Sequence, residues 1–124
     1  MSKTEINEIE INGVKYVKKG TETQQLASTD GLLYVCVRTY SAGVHIGFLK
    51  SREGTETVLV NSRRVHYWDG AASLSQLALE GVTKPQNCRI SVVIPEITLT
   101  ESVEVIPITE VAKSNLDSVP VWRV

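Results

Sequence analysis

Between Tyr34 and Trp68 the chain sets chemistry-bearing side chains at alternate positions: Tyr34, Cys36, Arg38 and Tyr40, then His45, then Arg64, His66 and Trp68. Such a set suits recognition better than bond cleavage. A guanidinium matches phosphate with a planar fork and also lies flat on aromatic rings. Trp68 or Tyr40 would stack a planar base, with Arg38 and Arg64 holding phosphate. His45 and His66 are expected to be neighbours across strands. Two histidines, with Asp69 as the only obvious acidic addition, fall short of the three or four ligands of a stable metal site. General base catalysis needs a positioned nucleophile or water, and no residue here fixes one. Cys36 beside a histidine would be a nucleophile, but small strand cysteines usually serve the core. No catalytic residue, metal or cofactor is therefore expected.

A second feature is the junction Tyr67-Trp68-Asp69-Gly70-Ala71-Ala72-Ser73. Its small residues would let a ligand approach the backbone, and a helix start offers free amides to an anion. It lacks the lysine and glycine spacing of a phosphate-binding loop. The ligand-binding set expected from the sequence is Arg38, Tyr40, His45, Arg64, His66, Trp68 and Ser73. The plainer readings are that Arg63 and Arg64 pair with Glu53, Glu56 or Asp69, and that the small residues allow a helix to pack on a sheet. The carboxylates Glu96, Glu101, Glu104 and Glu110 are scattered and make no acid/base pair.

The elements that position these residues follow from hydrophobic period and turn chemistry. Successive strand side chains point to opposite faces. That puts Leu33, Val35 and Val37 with Val44, Ile46 and Phe48 on an apolar face, away from the arginines and aromatics. Strands are expected at about 32–40, 44–50, 56–61 and 64–68, joined as a meander through Ser41-Ala42-Gly43 and the Arg52-Glu53-Gly54-Thr55 loop. Ser73-Leu74-Ser75-Gln76 fits a capping box and opens a short helix closed by Gly81. Further strands are expected at 88–94, 97–99 and 103–106, with Pro95 at an end or edge. Thr109-Glu110 caps a second short helix to about Leu116. Upstream, Ile9, Ile11, Val14 and Tyr16 about Asn12-Gly13 read as a hairpin with a type I′ turn.

The fold class is α+β, mostly β: a curved antiparallel sheet with one or two short helices. At 124 residues the size suits one domain. Within it, 1–20 reads as an N-terminal hairpin or arm, 21–31 as a linker and 32–124 as the main domain. A hairpin alone is marginal and small sheets hide their edges in assemblies, so a homo-oligomer is expected. A net charge of −1 argues against general nucleic-acid binding. No apolar run suggests a membrane span or signal peptide. Cys36 and Cys88 are expected as free thiols.

The runs Val37-Arg38-Thr39-Tyr40-Ser41-Ala42-Gly43-Val44-His45-Ile46-Gly47 and Arg63-Arg64-Val65-His66-Tyr67-Trp68-Asp69-Gly70-Ala71-Ala72-Ser73-Leu74 resemble a family of small uncharacterised proteins of tailed bacteriophages. Residues 95–109, with Glu104-Val105-Ile106-Pro107, are similar too. The resemblance spans roughly residues 32–122. It implies a phage origin and action in the host cytoplasm, without a family activity. Small phage accessory proteins include inhibitors of host defence, some of them sponges that sequester signalling nucleotides uncleaved. The function expected is thus a non-enzymatic binding protein for a small phosphorylated ligand. The alternatives are a protein–protein inhibitor of a host factor and a minor virion or assembly component.

Overall fold

The computed structural model describes residues 5–6, 9–10 and 25–124. In the expected arm, β1 (Glu5–Ile6) pairs antiparallel with β2 (Ile9–Glu10). The turn expected at Asn12-Gly13, and the rest of 11–24, lie outside the described residues.

The main sheet is antiparallel and curled into a half-barrel. Its strands are β3 (Ser28–Thr29), β4 (Leu32–Thr39), β5 (Val44–Glu53), β6 (Glu56–Tyr67), β7 (Arg89–Ile90), β8 (Ile94–Leu99) and β9 (Ser102–Pro107). Strand β5 lies between β4 and β6. Strands β3 and β9 share the far edge of β4, and β7 and β8 share the far edge of β6. β4 and β6 each oppose β5, so they share a direction. β8 opposes β6 and β9 opposes β4, so β8 and β9 run the same way, as one kinked strand crossing from edge to edge. The crossing at Thr100-Glu101 is tied down on both sides. Ser102 N donates to Thr55 O at 3.0 Å, and Tyr40 N donates to Glu101 O at 2.9 Å.

Both sheet faces are buried, which corrects the expected distribution of side chains. The register sets Tyr34 opposite Phe48, Cys36 opposite Ile46, and Val37 opposite His45. Directly opposed residues share a face. Tyr34 and Cys36 therefore join Ile46, Phe48 and Val65 against the helices, with Leu77, Ala78, Ala112 and Leu116. Val35 and Val37 face the half-barrel interior with Leu59, Leu99 and Ile97. The Tyr34 and Phe48 rings meet edge-on at 4.9 Å between centroids. Alternation within a strand gives two sets of residues. It does not give the phase between strands, which register and turn length fix.

The strands expected at 56–61 and 64–68 are one strand, β6. Asn61 absorbs the irregularity at φ 49°, a conformation asparagine tolerates, and the pairing with β5 shifts between Ile46 and Phe48. The helices fall where their caps put them. Helix α1 spans Leu74–Glu80 and helix α2 spans Glu110–Asp117. The Ser73 hydroxyl accepts from Gln76 N at 3.2 Å, and Gly81 N donates to Leu77 O at 2.9 Å. The Thr109 hydroxyl accepts from Ala112 N at 3.1 Å and donates to Leu79 O at 2.8 Å, so one residue caps α2 and fastens it to α1. Residues 25–29, expected within the linker, are built into the body: Ala27 is buried and its N donates to Ile108 O.

Candidate functional site

The two adjacent arginines part company. Arg63 points to the helix side and is buried. Its Nε donates to Ser91 O at 2.8 Å. Its terminal nitrogens reach Ile90 O at 3.3 Å, Leu116 O at 3.4 Å and Val119 O at 3.4 Å. Burial pulls its pKa below the ordinary value, while Tyr34 and Asp117 pull the other way. The charge remains, beside the carbonyl-rich end of α2, where a cation is favoured. The surface ion pair considered for Arg63 is thus replaced by a buried carbonyl cradle.

Arg64 lies on the opposite face, directly across from His45. A cleft of ≈ 220 Å³ opens here between β6 and the chain leading into β8. His45, Ser62, Arg64, His66, Ser91 and Ile94 contribute to its lining. The main chain of Arg64 is clamped: its N donates to Ser91 Oγ at 2.8 Å and its O accepts from Ser91 N at 2.9 Å. The exposed guanidinium makes no ion pair among the described residues. His45 is buried, and its Nε2 lies 2.9 Å from Ala42 O. A carbonyl only accepts, so Nε2 carries the proton. Burial is the main cause holding His45 below the usual histidine value, with Arg64 and His66 adding in the same direction. A neutral, tethered ring here stabilises the 40–43 turn and forms part of the cleft wall.

His66 extends the site towards a residue the sequence reading did not include. Its ring meets that of Trp122, centroids 4.9 Å apart and planes tilted by 60°. The Arg89 guanidinium lies 5.6 Å from the Trp122 ring centroid. Trp122 reaches this place by tertiary pairing: its N donates to Ile90 O at 2.9 Å, and Val121 bridges Ile90 in parallel. Trp122 is 48 % exposed and borders a second, largely polar cleft of ≈ 420 Å³. Tyr67, Asp69, Asn87, Cys88 and Arg89 line it with Trp122. Because His66 borders one cleft and Trp122 the other, the two are neighbours. No local pattern in the sequence marked Trp122 or Arg89 as part of a site; pairing between distant segments brings them here.

Of the expected set, the structure brings together His45, Arg64 and His66. The others lie elsewhere. Arg38 pairs with Glu104 at 2.8 Å, on the helix side of the sheet. Tyr40 is 82 % exposed at the tip of its turn. Trp68 packs against the helix-side core and donates from Nε1 to Ala71 O at 3.2 Å, so it does not share the face of Arg64. The irregularity in the β6 pairing between Val65 and Tyr67 breaks the alternation that placed them together. At Ser73 the hydroxyl already serves as cap, and Gln76 Oε1 accepts from Ala72 N at 2.8 Å. The close approach at Gly70 (φ 100°) is to the chain itself: a Cβ there would meet Thr83 N at 2.5 Å. At the junction these groups are engaged with the chain itself, apart from the cleft of His45, Arg64 and His66. Cys36 and Cys88 are free and buried; burial pushes Cys36 up to about 12, leaving no useful thiolate near neutral pH. Among the described residues no three metal-ligating side chains cluster, and no helix is long and apolar enough to cross a membrane.

Fold and site define a small mostly-β protein in which a helix-backed half-barrel presents an arginine–histidine–tryptophan surface beside two clefts. The family profile described as Domain of unknown function (DUF6948) matches residues 32–116, and the chain belongs to that family. No curated protein and no solved structure matches it.

Proposed function

We propose that the protein is a non-enzymatic binder of a small phosphorylated, base-containing molecule, seated around Arg64, His66, Arg89 and Trp122. The observation that carries this reading is the half-exposed Trp122 ring, flanked by His66 and Arg89 at the edge of the 420 Å³ cleft. That volume falls in the ~300–1,000 Å³ range of small-ligand sites. Trp122 offers stacking area, Arg64 and Arg89 offer forks for phosphate, and Asp69 and Asn87 offer polar contacts for a base edge. With the phage resemblance, this suits a sponge that sequesters a signalling nucleotide of host defence in the host cytoplasm. A second reading, an inhibitor docking on a host protein, draws on exposed Tyr67, Val121 and Trp122 around the same surface, since aromatic and arginine side chains dominate interface hot spots.

A ligand screen separates the two. The expected result is a rise in melting temperature with a nucleotide, and a nucleotide released from the purified protein on denaturation, read by mass spectrometry. Arg64→Ala should weaken that binding by about tenfold to a hundredfold, because a charge-assisted contact is worth roughly 1.5–3 kcal/mol. A protein that shifts only with a protein partner would favour the inhibitor. A nucleotide bound equally well by Arg64→Ala and Trp122→Ala would move the site elsewhere.

A further inference from the structure

On the side of the molecule formed by α1 and the end of β9, a mostly apolar groove of ≈ 260 Å³ is lined by Leu26, Ala78, Leu79, Ile106, Pro107 and Thr109. Leu26 is 41 % and Leu79 38 % exposed, so two leucines face solvent where the body has no other use for them. The described body begins at this groove: Gln25 O accepts from Glu110 N at 2.8 Å, and Leu26 bridges Thr109. The chain before it carries the apolar series Ile9, Ile11, Val14, Tyr16 and Val17, then the polar run Lys18 to Gln24. Seven such residues span at most roughly 25 Å, enough to turn the apolar series back onto a groove that starts at Leu26. A tether this short also gives the segment an effective concentration on the order of millimolar. At its C-terminal end the series carries Lys15, Lys18 and Lys19, opposite in charge to Glu80 and Glu110, which adjoin the groove residues Leu79 and Thr109; Glu8 and Glu10 lie at its other end.

We infer that the groove is the docking site of the protein's own N-terminal segment, residues 9–17. A benzophenone side chain introduced at Leu79 of the full chain, followed by illumination and peptide mass spectrometry, tests this. The expected adducts map to residues 6–19 and fall several-fold when Ile11→Ser and Val14→Ser are combined. Circular dichroism of that variant should stay unchanged. The same probe at Val111, exposed on α2 outside the groove, provides the background. Adducts that join two copies through residues 6–19 support the same contact, made by an exchanged arm, and rise with protein concentration. Adducts that map elsewhere, or that do not exceed the Val111 background, overturn the inference.

Discussion

Arg63 and Arg64 are consecutive and carry the same charge, yet their loss should have opposite consequences. In Arg63→Ala four carbonyls lose a guanidinium bond: Ser91 at 2.8 Å, and Ile90, Leu116 and Val119 at 3.3–3.4 Å. The short bond is worth roughly 1.5–3 kcal/mol as a charge-assisted contact. The three longer bonds contribute less each, and two of their acceptors keep a main-chain donor, Trp122 N on Ile90 O at 2.9 Å and Val119 N on Leu116 O at 3.1 Å. A total loss of about 2–4 kcal/mol follows. Against a typical stability of roughly 5–15 kcal/mol, and with about 4 °C per kcal/mol for a chain of this length, the melting temperature should fall by at least about 8 °C. Arg64→Ala should stay within about 0.5 kcal/mol, because the side chain is exposed. Arg63→Lys should fall between, since one ammonium cannot reach all four acceptors. Thermal and urea unfolding of the three variants check the series. An Arg63→Ala protein that melts within a few degrees of the parent would refute the reasoning, as would an Arg64→Ala protein that loses more than Arg63→Ala.

The two tryptophans should separate in the same manner: Trp68→Ala should destabilise by about 2–4 kcal/mol through lost core contacts. Trp122→Ala should instead weaken ligand binding at nearly unchanged melting temperature, as calorimetry on the folded protein will show. The pH dependence follows from His45, whose folded-state pKa lies below its unfolded value of about 6.5. Between those values the unfolded chain binds more protons, so this contribution is complete above about pH 6.5 and is lost as pH falls through the folded pKa. Urea midpoints taken downward from pH 7 should decline, and His45→Asn should flatten that slope. Gly81→Ala should cost more than about 1 kcal/mol, because Gly81 sits at φ 84° and an added Cβ would collide with the Asn115 side chain. Denaturant unfolding would show no loss if that collision were relieved at little cost.

Much of the fold was legible because it is specified locally. The Ser73 and Thr109 caps and the Gly81 terminus placed both helices, since a cap is a bond between residues three apart. The Arg52 to Thr55 loop marked the β5–β6 hairpin for the same reason. What was not legible depends on relations between distant residues. Val37 and His45 face each other because of how β4 and β5 are registered, and with both faces buried no polar side announces that register. The single strand β6 hides behind Asn61, whose positive φ reads as a break. The kinked β8–β9 strand closes the half-barrel through bonds from Thr55 and Tyr40, remote in sequence from Thr100 and Glu101.

The candidate site illustrates the same division, and it explains why three of the expected residues lie together and four lie elsewhere. His45 and Arg64 oppose each other by strand register, and His66 follows Arg64 at the next alternate position, so an alternation argument reaches all three. Trp68 lies one step further, beyond the irregularity that ends regular pairing, and there the argument fails. The aromatic surface it was expected to supply comes instead from Trp122, held by the Ile90 carbonyl at the far end of the chain. Arg63 links the two parts: its bonds to Ile90, Ser91 and Val119 hold β7 and the segment leading to Trp122 against β6. The buried arginine thereby fixes the distance between Arg64 and the tryptophan ring. Arg63→Lys, studied at a temperature where it remains folded, should accordingly weaken ligand binding without removing any group that touches the ligand. Binding by that folded variant at full affinity would show that the Trp122 segment is positioned independently of Arg63.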